Sequence, residues 1–275
     1  MTALLTVEDL RVTFPTRQGP SEVVRGVSFT LGRERLGIVG ESGSGKSQTG
    51  RALLGLTPPP GKATARTLNF DGIDLRTATP AKWRELRGIR MSMVMQDPKF
   101  SLNPVMTIGK QLMEAATRTA GRTEARDRAM AMLEAVQIRD PDRVFRAYPH
   151  EMSGGMGQRA MIAMMLITEP DLLIADEPTS ALDVTVQIEV LRILDRLVTD
   201  RGMGLIFISH DLRLVSSFCD RVLVMYAGRV VEELAASDLA NAQHPYTQGL
   251  FKCLPQVSGG QRPLPTLQRD AAWAR

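Results

Sequence analysis

Apolar and polar residues alternate through the first thirty positions, with Leu5, Val7, Leu10, Val12 and Phe14 followed by Val24, Val27, Phe29 and Leu31. Two half-buried strands joined through the loop at 16–22 fit that period. RLGIVG (35–40) then reads as a buried strand running into a glycine-rich loop, and KSQTGRALLGL (46–56) as the helix leaving it. The proline-broken stretch at 56–65 reads as a loop. Between about Pro104 and Thr168 the apolar spacing changes to three and four, which predicts helices over 107–120 and 123–136. LLIAD (172–176), LIFIS (205–209) and VLVMY (222–226) are short apolar runs bounded by turns, as expected of strands covered on both faces. Val190, Leu191, Leu194, Leu197 and Val198 form one helical stripe between the first two runs. RVVEEL, after the turn at Ala227 and Gly228, reads as the return of a hairpin. Strands alternating with helices predict an α/β domain with a mainly parallel sheet. The last forty residues, rich in Pro, Gln and Gly, read as an appendage, residues 236–275.

Composition narrows the class. At 275 residues, 43% apolar and 23% charged, the chain reads as an ordinary soluble globular protein with a substantial core. It holds no run of about 18 apolar residues, so no spanning helix is expected, and its opening MTALLTVEDL lacks the basic and apolar regions of a secretory signal. A cytoplasmic location is the expectation. Cys219 and Cys253 lack metal-ligand spacing and read as reduced thiols. The net charge of +4 is spread along the chain with both signs interspersed, which reads as a solvated surface and not as a nucleic-acid face.

The chemistry begins at Gly40-Glu41-Ser42-Gly43-Ser44-Gly45-Lys46-Ser47, a full G-x-x-x-x-G-K-[ST] pattern between a predicted strand and a predicted helix, with Gln48 following. Glycines let backbone wrap phosphates, and successive N–H groups with the helix N-terminus supply positive potential. Lys46 is expected on the β- and γ-phosphates of ATP and the Ser47 hydroxyl on Mg²⁺. Downstream, LLIAD-Glu177 ends a buried strand in two carboxylates: Asp176 suited to the Mg²⁺ side, Glu177 to orienting or deprotonating the attacking water. Ser153-Gly154-Gly155-Met156, before a helix expected from about Gln158, forms a second anion nest. One P-loop does not need two cradles, so the nest is expected to clamp the nucleotide of another subunit across a dimer.

The order P-loop, Gln96, SGG signature, DE-tipped strand, Ser180-to-Asp183 loop and His210 resembles the nucleotide-binding subunit of ATP-binding-cassette (ABC) transporters over about residues 5–235. The resemblance implies a P-loop NTPase fold: a RecA-like core, an N-terminal antiparallel β-subdomain and a helical subdomain inserted at about 97–160, within a cassette of 1–235. It implies that Phe14 stacks on adenine and that Gln96 senses Mg²⁺ and water. It further implies that His210 contacts the γ-phosphate and that Asp183 lies on the loop crossing the dimer interface. His150 and His244 match no chemical position. The segments QDPKFSLNP (96–104), YPHEMSGGMGQR (148–159), LLIADEPTSALDVTVQ (172–187), CDRVLVMYAGRVVE (219–232) and HPYTQGL (244–250) resemble the D-type ATPase of oligopeptide, dipeptide and nickel importers. That class implies an F-type ATPase partner in a heterodimer, two transmembrane permease subunits and an extracytoplasmic solute-binding protein, with this chain peripheral on the cytoplasmic face of the membrane. Met156, where the general pattern has Gln, is usual for D-type chains, and Gln48 replaces a common Thr. With only Cys253 near the C-terminus, the iron–sulfur cluster of some D-type chains is not expected. The competing reading is an accessory ABC ATPase of a soluble, non-transport complex.

Overall fold

The computed structural model describes residues 3–96, 101–180, 182–253 and 273. They divide into two compact units, one built from the chain up to Ala78 and again from Ile206 onward, the other from Thr79–Leu205.

The first unit opens with β1 (Leu5–Thr16) and β2 (Gly19–Leu31), antiparallel and paired from Leu5↔Leu31 to Thr16↔Gly19. Both strands run further than the alternation predicted, and the loop at 16–22 shrinks to a two-residue turn at Arg17 and Gln18. The buried set Leu5, Val7, Leu10, Val12 changes parity between Val7 and Leu10, where the register shifts and Asp9 has φ 51. A bulge there returns Leu10 and Val12 to the buried face. On β2, Gly26 falls at the next register shift, between Leu10 and Arg11; it has φ 76, and a Cβ on it would sit 2.8 Å from Asp9 Oδ1, so this irregularity requires glycine.

β3 (Arg35–Val39) and α1 (Lys46–Leu53) flank the glycine-rich loop as expected. β4 (Lys62–Thr64) and β5 (Thr67–Phe70) both pair antiparallel with β1, and β6 (Ile73–Asp74) with β5. At three, four and two residues these strands are too short to carry a readable period, and β4 lies within the stretch read as loop.

The second unit runs α2 (Pro80–Leu86), β7 (Met91–Val94), α3 (Ile108–Ala116), α4 (Arg122–Ala135), α5 (Pro141–Arg146), α6 (Gly154–Leu166), β8 (Leu172–Asp176) and α7 (Val184–Arg201). β7 and β8 are parallel, Met91↔Leu172 to Val94↔Ala175, and every residue of both is buried. β8 meets the expectation of a strand covered on both faces. Gly109 of α3 lies under the Phe145 ring of α5, where a Cβ would come within 2.4 Å of a ring carbon. On α7 the buried stripe is narrower than predicted: Val190, Leu194 and Val198 are buried, Leu191 and Leu197 only half so.

The chain returns to the first unit along β9 (Gly204–Ile208), followed by α8 (Leu212–Phe218), β10 (Arg221–Tyr226), β11 (Arg229–Ala235) and α9 (Pro245–Lys252). β10 is parallel to β3 and antiparallel to β11, in the order β11-β10-β3-β9. The turn between β10 and β11 has Ala227 at φ 46 and Gly228 at φ 86, the two positive angles of a primed hairpin turn. Among the described residues no helix is long and apolar enough to cross a membrane.

Candidate nucleotide site

β3 delivers the chain into the loop 40–47, and the loop's glycines answer to different constraints. Gly40 has φ 151 and a Cβ there would sit 2.1 Å from the Met225 carbonyl oxygen; Gly45 has φ 101 and would meet the Val23 carbonyl at 2.6 Å. Gly43 has φ 81 and open space where a Cβ would point. Lys46 is buried, and its Nζ donates to the carbonyls of Gly40 at 2.8 Å and Glu41 at 2.9 Å, closing the loop on itself. Ser44 is buried with an Oγ that has no hydrogen-bond partner. No side chain caps the N-terminus of α1, and its first turn carries no acidic residue. An orphaned hydroxyl, an open face at Gly43 and an uncapped positive helix end fit an anion of phosphate character. Ser42 is exposed, and Ser47 and Gln48 occupy the first turn of α1 half-buried.

Two further expected residues lie in this unit. Phe14 is half-buried near the end of β1, its ring covering Gly61, where a Cβ would come within 2.4 Å of a ring carbon. His210 is exposed immediately after β9, whose end is tied to the P-loop strand by Ser209 N–H donating to Ile38 O at 3.2 Å. Asp211 then caps α8 through its Oδ1, which accepts from the N–H groups of Arg213 and Leu214.

The second unit holds the carboxylates. Asp176 closes β8 and is 2% exposed. Glu177 has φ 49, a left-handed conformation uncommon for a residue with a side chain. Three donors converge on its carbonyl: Ser180 N–H at 3.3 Å, Ser180 Oγ at 3.1 Å and Gln158 Nε2 at 3.3 Å. Gln158 Nε2 also donates to Pro178 O at 2.5 Å. The strained backbone is therefore held from outside, and the Glu177 Oε2 accepts from Gln96 Nε2 at 3.0 Å. Of the QDPKFSLNP segment, residues 97–100 lie outside the described residues.

The signature corrects one boundary. α6 begins at Gly154 and not near Gln158, because Ser153 is its N-cap, Oγ accepting from Met156 N–H at 3.4 Å. Gly154 has open space at its Cβ position, so this helix start is accessible. Ser153, Met156, Arg159 and Asp183 line a depression of about 380 Å³. Burial holds the Arg159 guanidinium below its ordinary pKa, and its Nη1 donates to Gln137 O at 2.5 Å. Asp183 is exposed and caps α7, its Oδ1 accepting from Val186 N–H at 3.0 Å. His150 stacks on Tyr148 at 5.7 Å, and His244 caps α9.

The structure thus gathers Phe14, the P-loop and His210 in one unit, and Gln96, the signature, Asp176, Glu177 and Asp183 in the other. The motifs assign no separate role to Gln158 or Tyr246; the latter is fully buried, with its hydroxyl 2.9 Å from the P-loop nitrogen of Glu41.

Residues 24–180 match the family model described as ABC transporter. The chain belongs to the ABC transporter family. Its relatives include the dipeptide transport ATP-binding protein DppD of Haemophilus influenzae, 46% identical over 97% of this chain and 82% of that one. The oligopeptide transport ATP-binding protein OppD of Escherichia coli is 46% identical over 93% of this chain and 77% of its own length. Among solved structures, cbiO1 of Clostridium perfringens, part of the ABC transporter complex cbiONQ, superposes with a TM-score of 0.70 at 26% identity, covering 88% of this chain and 92% of that one. The bacterial ABC transporter cassette MJ0796, solved as a dimer, shares the fold, with a TM-score of 0.76 at 24% identity over 84% and 98%. The P-loop NTPase fold and the ABC ATPase activity expected from the motifs are therefore those of this chain.

Proposed function

We propose that this ABC ATPase is the D-type ATP-hydrolysing subunit of an importer for peptides or related small solutes. ATP held by the P-loop of one subunit and by the Ser153–Met156 nest of a second closes a dimer, and hydrolysis reopens it. Phe14 receives the adenine, Lys46 the β- and γ-phosphates, and His210 the γ-phosphate. Ser47, Asp176 and Gln96 would hold Mg²⁺, which would supply positive charge to offset that of the phosphates. Glu177 takes the proton of the attacking water. Among the described residues no group of three His, Cys, Asp or Glu forms a metal cage. Mg²⁺ ordinarily keeps its waters and takes only one or two protein ligands beside phosphates. The observation that carries the hydrolytic reading is Glu177 itself: a carboxylate on a left-handed backbone held by Gln158 and Ser180, facing the amide of Gln96. The peptide class is supported by the dipeptide and oligopeptide transport relatives.

The partners that follow are an F-type ATPase, two permease subunits and an extracytoplasmic solute-binding protein, with this chain on the cytoplasmic face of the inner membrane. The tagged chain, purified from detergent-solubilised membranes of its host, should bring down the second ATPase and both permeases. Recovery of soluble enzymes alone would overturn the importer and favour the accessory-ATPase reading.

A further inference from the structure

Within the first unit, α9 and the residues before it are fastened by hydrogen bonds and aromatic packing. The N–H groups of Gln243 and His244 both donate to Glu232 Oε1 of β11, at 2.6 and 3.2 Å. Burial works to raise the Glu232 carboxyl, but the Thr247 side chain, and then the hydrogen bonds from the Gln243 and His244 N–H groups, hold it below the ordinary carboxylate range, so the anchor is an anion at neutral pH. His244 Nδ1 accepts from Tyr246 N–H at 3.2 Å, and Gln248 Nε2 donates to Ala242 O at 2.8 Å. Tyr246 is thereby driven fully inside, its ring 4.5 Å from that of Tyr226 and 5.8 Å from that of Trp273. Its hydroxyl emerges from this aromatic packing at the P-loop, accepting from Glu41 N–H at 2.9 Å.

The same face of the P-loop meets the β10–β11 turn. Gly228 N–H donates to Ser44 O at 3.0 Å, and the Met225 carbonyl lies under Gly40. The loop is thus braced at its start by Tyr246 and at its centre by Gly228. Neither brace occupies the open face at Gly43.

We infer that Tyr246 is a positioning residue for nucleotide binding, through which the C-terminal segment 243–250 sets the affinity of the P-loop. A phosphate-binding loop is useful only in the conformation that aims its N–H groups, and any fraction of time spent elsewhere weakens apparent affinity by that fraction. The Tyr246 hydroxyl fixes the second residue of the loop, and Glu41 O is in turn one of the two carbonyls that hold Lys46. Its influence passes to the phosphates through the loop, without contact.

The inference rests on nucleotide occupying this P-loop, and the test separates the two claims. MgADP is titrated calorimetrically into the full chain and into its Tyr246→Phe variant, with the thermal midpoint of each measured without nucleotide. Phenylalanine keeps the ring packing and removes the hydroxyl that accepts from Glu41 N–H, so Kd for MgADP should rise about threefold to tenfold. The midpoint should fall by no more than about 3 °C. In steady-state turnover KM for ATP should rise by the same factor while kcat stays within about twofold. Wild-type affinity in the variant would overturn the inference and leave the P-loop standing. A midpoint lower by about 10 °C with unchanged KM would overturn it too, assigning the hydroxyl to fold stability. Failure of the wild-type chain to bind MgADP would overturn the nucleotide site and this inference together.

Discussion

Replacing Gln158 by Met removes the amide that holds the strained Glu177 backbone while keeping most of the buried volume. The side chain is fully buried, with Nε2 2.5 Å from Pro178 O and 3.3 Å from Glu177 O. Glu177 O keeps the two donors of Ser180, but Pro178 O loses its short partner. A buried carbonyl deprived of its donor costs about 1–3 kcal/mol. Part of this is returned, because Gln158 Oε1 is itself buried without a partner and disappears in the variant. A net loss of about 1 kcal/mol follows, a fall of about 2–4 °C in thermal midpoint.

The larger effect is on Glu177, the proposed base. A non-glycine residue in the left-handed region stores about 1–3 kcal/mol that its surroundings must supply. In the role proposed for Glu177, its relaxation once Gln158 is gone moves the base away from the attacking water, and losing about 1.4–2.8 kcal/mol of positioning should lower kcat about ten- to a hundredfold. KM for ATP should stay within about threefold, because the P-loop contacts are untouched. Steady-state ATP hydrolysis by the purified chain, with calorimetric MgADP binding alongside, separates the two parameters. A kcat within about twofold of wild type, in a variant with the expected small loss of stability, would refute the claim that Gln158 positions the base.

Two further outcomes follow from the same geometry. Lys46→Ala removes the cation that closes the P-loop on the Gly40 and Glu41 carbonyls, and should weaken MgADP binding by at least about tenfold, a charge-assisted contact being worth about 1.5–3 kcal/mol; unchanged calorimetric affinity would sink the P-loop assignment. Burial pushes the Cys219 thiol up from an ordinary 9.0 to about 12, so the folded chain keeps a proton that the unfolded chain gives up above pH 9. This contribution to stability is therefore complete below about pH 9 and is lost between 9 and about 12, and denaturant midpoints of wild type and Cys219→Ala should converge across that window.

The parts of the fold that repeat were legible and the parts that do not were hidden. Five-residue apolar runs announced β3, β8 and β9, and the parity break at Asp9 is visible once the bulge is known. β4, β5 and β6 left no trace because two to four residues cannot establish a period. The start of α6 was misjudged because three glycines among Gly154, Gly155 and Gly157 carry poor helix propensity, while the Ser153 cap and the packing of Ala160, Met161 and Ala163 override it. At the site, contiguous motifs were readable because their chemistry depends on neighbours in sequence. Gln158 and Tyr246 were not, because each acts on a residue far along the chain, 19 positions from Glu177 in one case and 205 from Glu41 in the other.

In the proposed cycle ATP closes a dimer, and hydrolysis with Glu177 as base reopens it. Glu177→Gln keeps the hydrogen-bonding length and removes the base, so turnover should fall by about a hundredfold or more. The decisive measurement is size-exclusion chromatography with light scattering of the Glu177→Gln chain, mixed with the second ATPase proposed for it, in MgATP and without nucleotide. A stable dimer should appear only with MgATP. A monomer under both conditions, or wild-type turnover by the variant, would contradict it.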